Sequence, residues 1–134
     1  MKKRVIIIIA VCVAVIAVIA VFAAVRPRTD KNTVIHCYEF SAAYDYAVEN
    51  GYEPFIIYGA KEPEFDSQKN SFTFEKRENG LYLTSYTGKS DVVYVPLKFN
   101  GETVTGIAEG AFDGRYIKEI YIPQNIRFIE CGFD

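Results

Sequence analysis

The pattern of apolar and polar positions divides the chain into two unlike parts. Residues 5–25 form an unbroken run of Ile, Val and Ala with one Cys and one Phe. At about 1.5 Å per residue, such a run matches a hydrocarbon core of roughly 30 Å, and it predicts a transmembrane helix. Strands longer than about ten residues are unusual, and this run is about twice that length. Pro27 within Arg26-Pro27-Arg28 ends the span, and a polar linker extends to Asn32. Over residues 33–50, Cys37, Phe40, Tyr44 and Ala47 or Val48 recur at helical spacing, with Gly51 where a helix would stop. An amphipathic helix is predicted there. A strand follows at 54–58 and a polar loop at 59–70.

The remaining stretch reads as β. Phe72 and Phe74 alternate with polar neighbours, Glu78-Asn79-Gly80 interrupts, and Leu81, Leu83 and Ser85 then alternate with Tyr82, Thr84 and Tyr86. This predicts a hairpin whose Asn-Gly pair forms a tight primed turn. Two later segments resemble each other. Val93-Tyr94-Val95-Pro96 leads to Val104 through Phe112, and Ile120-Tyr121-Ile122-Pro123 leads to Ile126 through Phe133. The strands begin 27 residues apart and the Phe residues lie 21 apart, within the range of leucine-rich repeats.

Read together, Ser85-Tyr86-Thr87-Gly88, the strand from Val93 to Pro96, the Asn100-Gly101 turn and the segment from Val104 to Phe112 resemble the BspA-type leucine-rich repeats of bacterial surface proteins. The resemblance covers roughly the last 55 residues. It implies modules for adhesion or protein binding and carries no catalytic residues. The second unit departs from the pattern in lacking the Ala before its Phe, so the array reads as truncated or degenerate. Its last strand, around 119–122, is expected to be an open edge able to pair with another chain.

Charge and chemistry narrow this picture further. A net charge of −2 and a pI near 5.5 offer no basic field for phosphate backbones, so no nucleic-acid partner is expected. Lys2, Lys3 and Arg4 precede the span, and Arg26, Arg28 and Lys31 follow it. The export-like layout places the N-terminus in the cytoplasm and the rest outside, in a single-pass cell-membrane protein. Cleavage near Ala24 as a signal peptide stays open as an alternative. Ala10, Ala14, Ala17 and Ala24 share one face of the span and form a candidate helix-association face.

Cys12, Cys37 and Cys131 have no metal-ligand spacing; Cys37 and Cys131 are either a disulfide pair or two buried thiols. Glu62, Glu64 and Asp66 lack calcium-loop spacing, His36 stands alone, and Tyr38, Tyr44, Tyr46 and Tyr52 read as packing. Glu109 and Glu130 occupy related repeat positions and read as solvated turns. No catalytic, cofactor-binding or metal residues are assigned.

Tyr94 and Tyr121 fall at matching strand positions and are the candidate partner contacts. The fold class expected is α+β: one N-terminal transmembrane helix, then a small domain with an amphipathic helix, a β-hairpin and a short leucine-rich-repeat-like β-solenoid. The divisions fall at 1–28, 29–79 and 80–134. The function expected is a non-catalytic, membrane-anchored extracellular module binding a protein or glycan. The alternatives are a single-pass protein acting through helix-helix association, or a secreted form.

Overall fold

The structure, a computed structural model, describes residues 32–58, 62–130 and 133. The expected membrane span and its alanine face lie outside these residues. Among the described residues, no helix is long and apolar enough to cross a membrane.

Two sheets share one hydrophobic core. The first has the order β2 (Glu53–Ile56), β1 (Val34–Cys37), β8 (Glu119–Tyr121), β5 (Val92–Tyr94), and every pairing in it is parallel. The second runs β3 (Phe72–Arg77), β4 (Gly80–Tyr86), β7 (Glu102–Ile107), β6 (Lys98–Phe99), with β9 (Phe128–Ile129) also pairing with β7. Ile35, Val93 and Ile120 from the first sheet and Leu83, Val104 and Ile107 from the second are fully buried in that core.

The expected fold class needs correction. The described chain is a small mixed-sheet domain with one α-helix and one 3-10 helix, not a helix and hairpin leading into a solenoid with a free end. The decisive difference is at residues 34–37, expected to be helical. They form β1, which is inserted between β2 and β8. Their β-branched Val34-Ile35 start and burial on both sides suit a central parallel strand, and tertiary pairing overrides the helical spacing that ran through Cys37 and Phe40. Phe40 instead sits in a turn at φ 59° and is 87 % exposed.

The helix proper, α1, is Ala42–Asn50. The Ser41 hydroxyl accepts from the Tyr44 backbone N–H at 3.2 Å and starts it. Gly51 at φ 75° ends it, and Tyr52 N–H donates back to Ala47 C=O at 2.8 Å. Strand β1, α1 and β2 thus form a parallel βαβ unit that buries Ala43 and Ala47.

The expected open edge at 119–122 is likewise corrected. Strand β8 has β5 on one side and β1 on the other, and Ile122 N–H donates to His36 C=O at 2.9 Å. A strand from the N-terminal side of the domain therefore occupies the position a further repeat would take. The two similar segments do lie side by side. Val92, Val93 and Tyr94 pair with Glu119, Ile120 and Tyr121, and Gly106-Ile107 pair with Phe128-Ile129. Phe112 and Phe133 are both buried, with ring centroids 5.4 Å apart.

The hairpin forms as expected, but its turn shifts by one residue. Glu78-Asn79 are the turn residues, and Gly80 pairs with Arg77 at φ 123°. The turn with two left-handed residues is Asn100-Gly101, at φ 50° and 83°, between β6 and β7. A bulge at Thr84 also resets the alternation: Phe72 pairs with Tyr86 and Phe74 with Leu83. Tyr86 therefore joins Leu81 and Leu83 in the core instead of facing away from them. The second half of the polar loop expected at 59–70 is instead the start of the 3-10 helix Phe65–Ser71.

Candidate functional site

The four strands of the parallel sheet share a short pattern: a buried Ile, Val or half-buried Pro, then an aromatic ring, then an apolar residue. It reads Ile35-His36-Cys37, Pro54-Phe55-Ile56, Val93-Tyr94-Val95 and Ile120-Tyr121-Ile122. Side chains alternate across a strand, so burying the first residue of each pattern turns the ring outward. The register aligns the four rings in one row: Phe55 beside His36, His36 beside Tyr121, and Tyr121 beside Tyr94.

Strand spacing of about 4.8 Å is close to ring-stacking distance, and the rings use it. His36 and Tyr121 stack at 4.0 Å and 6°, Tyr121 and Tyr94 at 4.6 Å and 15°, and Phe55 tilts by 55° against His36 at 4.9 Å. The row is amphipathic. His36 donates from Nε2 to Glu119 Oε2 at 3.0 Å, and the Tyr121 hydroxyl donates to the same oxygen at 3.3 Å. Burial, followed by the nearby Glu119 charge, raises the Tyr121 hydroxyl pKa above its ordinary value.

Two grooves flank the row. One, of about 630 Å³, runs along β2 between Pro54, Phe55, Ile57 and Tyr58, with Phe55 59 % exposed. The other, of about 360 Å³, lies between Tyr94 and Tyr121 and the segment Glu62, Pro63, Glu64 and Ser67. The β5 edge beside this second groove is closed by a side chain. Gln68 donates from Nε2 to Val92 C=O and accepts at Oε1 from Tyr94 N–H, both at 3.0 Å, as a neighbouring strand would. Asp66 is similarly engaged, accepting from Leu97 N–H at 3.0 Å.

No family model, curated protein or solved structure matches this chain. Tyr94 and Tyr121, the residues singled out as partner contacts, are brought into direct contact. His36 and Phe55 join them and were missed because residues 34–37 read as helix; the repeated pattern of apolar residue, ring and apolar residue was the signal available. Ala10, Ala14, Ala17 and Ala24 lie outside the described residues.

The other candidates separate. Tyr52 is buried and accepts from Phe133 N–H at 3.0 Å, while Tyr46 stacks beside it at 5.9 Å. Glu130 pairs with Arg77, and Glu109 is exposed in a turn. Cys37 is a free, fully buried thiol with its pKa pushed up to about 11 by burial, and Cys131 lies outside the described residues. Among the described residues, no group of three His, Cys, Asp or Glu is placed to hold a metal ion.

Proposed function

We propose that this chain is a membrane-anchored, outward-facing protein-binding module that engages its partner through the aromatic row of the parallel sheet. The observation carrying this reading is the alignment of Phe55, His36, Tyr121 and Tyr94 on one sheet face, with a groove at each end. Aromatic side chains concentrate binding energy at protein interfaces because they bury large areas at low entropic cost. The resemblance of the last 55 residues to BspA-type surface proteins supports binding over catalysis, and the apolar run at 5–25 supports the anchor.

The ring arrangement favours a protein over a glycan. Sugars stack on open ring faces, whereas both faces of Tyr121 are covered by His36 and Tyr94. The middle of the row therefore offers ring edges, while Tyr94, at its end, lines a groove with Glu62 and Glu64 that suits a cationic side chain of a polypeptide.

Topology and binding are tested together. A cysteine inserted after Arg28, in a chain with Cys12 and Cys131 replaced by Ser, reports exposure to an impermeant maleimide on intact cells; buried Cys37 stays in place. Labelling from outside, with the chain retained in membranes, is expected. Adhesion of these cells to surfaces coated with matrix proteins should fall in a Tyr94→Ala/Tyr121→Ala variant expressed at equal level. Protection from the reagent overturns the surface reading; unchanged adhesion overturns the role of the row.

A further inference from the structure

On the opposite sheet, the molecule shows what one particular set of groups holds. Arg77 lies with its guanidinium carbon 4.6 Å above the ring of Tyr82, donating from Nε to Glu75 at 3.2 Å and from Nη1 to Glu130 at 3.0 Å. A tyrosine face and two carboxylates together bind one planar cation, because the ring quadrupole attracts it from below while the carboxylates take its in-plane donors.

The groove beside Tyr94 assembles the same set without the cation. Tyr94 ends the aromatic row; Tyr121 covers one ring face, and among the described residues the other has no ring partner. Glu62 and Glu64 line this groove with the two tyrosines, both are exposed, and neither has an ion-pair partner among the described residues; Glu62 also borders the adjoining groove beside Tyr38. Among the described residues, the lining contains no Lys or Arg. Neighbouring acids are already committed: Glu119 to His36 and Tyr121, Asp66 to the Leu97 backbone. Gln68 fixes the 3-10 helix that follows Glu64 against β5, which holds the Ser67 side of the groove in place.

We infer that the groove between Tyr94 and the Glu62–Glu64 segment binds an arginine side chain of the partner polypeptide. This rests on the binding-module reading and narrows it to a partner that presents arginine. Guanidinium fits better than ammonium because it can lie flat against a ring while donating sideways to two carboxylates, as Arg77 does within the chain.

The test uses the full chain in neutral detergent with isotope-labelled tyrosine rings, titrated with the peptide acetyl-Gly-Arg-Gly-amide and with its citrulline counterpart, which keeps the shape but not the charge. Saturable shifts of the Tyr94 ring are expected with the arginine peptide and none with citrulline. Affinity should fall about two- to fivefold on Tyr94→Leu and on Glu62→Gln/Glu64→Gln, in line with exposed cation–π and ion-pair contacts. The glutamate pair sits in an exposed segment, so it reports on binding even if Tyr94→Leu disturbs the sheet. Equal shifts with both peptides, shifts centred on Tyr82, or an affinity indifferent to Glu62→Gln/Glu64→Gln overturn the site. If cells still adhere through Tyr94 and Tyr121 while the arginine peptide does not bind, the arginine site fails and the binding module stands.

Discussion

Gly106 makes a precise prediction about how the second sheet packs. It is not among the glycines with positive φ, so alanine suits its backbone. A Cβ there, however, would lie 2.4 Å from Cε1, 2.6 Å from Cδ1 and 2.7 Å from Cζ of Tyr82. Ordinary contact is about 3.5–4.0 Å, so the ring must retreat by about 1 Å. It has little room to do so. Tyr82 is 3 % exposed and is held between Phe128, stacked at 6.0 Å, and the Arg77 guanidinium. Overpacking of this kind costs about 1–3 kcal/mol. Without the ring, the same substitution should be neutral or stabilising by about 0.4–1 kcal/mol, since alanine restricts the unfolded chain. That gain is common to both backgrounds and cancels, so the difference between them is the overpacking cost itself, about 1–3 kcal/mol. Urea titration of the full chain, Gly106→Ala, Tyr82→Ala and the double variant, followed by circular dichroism in neutral detergent, measures that coupling. An equal cost for Gly106→Ala in both backgrounds would falsify the claim that Gly106 exists to accommodate Tyr82.

Other consequences are as direct. Gln68→Ala removes two hydrogen bonds from the β5 edge and should cost about 1–3 kcal/mol; it should also produce concentration-dependent self-association in light scattering, and an unchanged monomer would show that the edge needs no cover. Cys37, fully buried with its pKa raised to about 11, should resist maleimide at pH 7.5 until the chain is denatured, so prompt labelling of the native chain would contradict the central position of β1. The hydrogen bond from Lys118, at 2.6 Å, holds the Asp91 carboxyl below its ordinary value of 3.8. A depressed folded pKa stabilises above the unfolded value and is lost as pH falls through the folded one. The pair's contribution should therefore drain away below about pH 4, and Asp91→Asn should flatten the acid limb of a stability–pH curve. Ile35→Ala, at a fully buried position in the central strand, should cost about 2–5 kcal/mol in the same urea assay.

Local chemistry was legible wherever a residue type has few alternatives. Gly51 ends the helix; Gly51, Gly80 and Gly101 take positive φ; and the similar segments around Tyr94 and Tyr121 pair in the register their spacing implies. The two tyrosines of the candidate surface follow from that register. Legibility ended where two periodicities overlapped. Cys37, Phe40 and Tyr44 satisfy a helical period by coincidence, because a strand and a helix meet there across the turn at Phe40. The face of Tyr86 was misassigned for a related reason: one bulged residue, Thr84, reverses the alternation and leaves no mark in composition.

The sequence by itself thus determined the helix stop, most of the turns, the hairpin and the in-register repeat, since each depends on contacts between residues near in the chain or alike in pattern. Only the tertiary structure decided that β1 lies between β2 and β8, that Gln68 closes the far edge, and that His36 and Phe55 complete the aromatic row. Those outcomes depend on pairing between segments more than eighty residues apart, or on one side chain standing in for a strand. Such pairing is selected by the burial and hydrogen bonds it completes in the assembled core, a quantity that no local window of the chain contains.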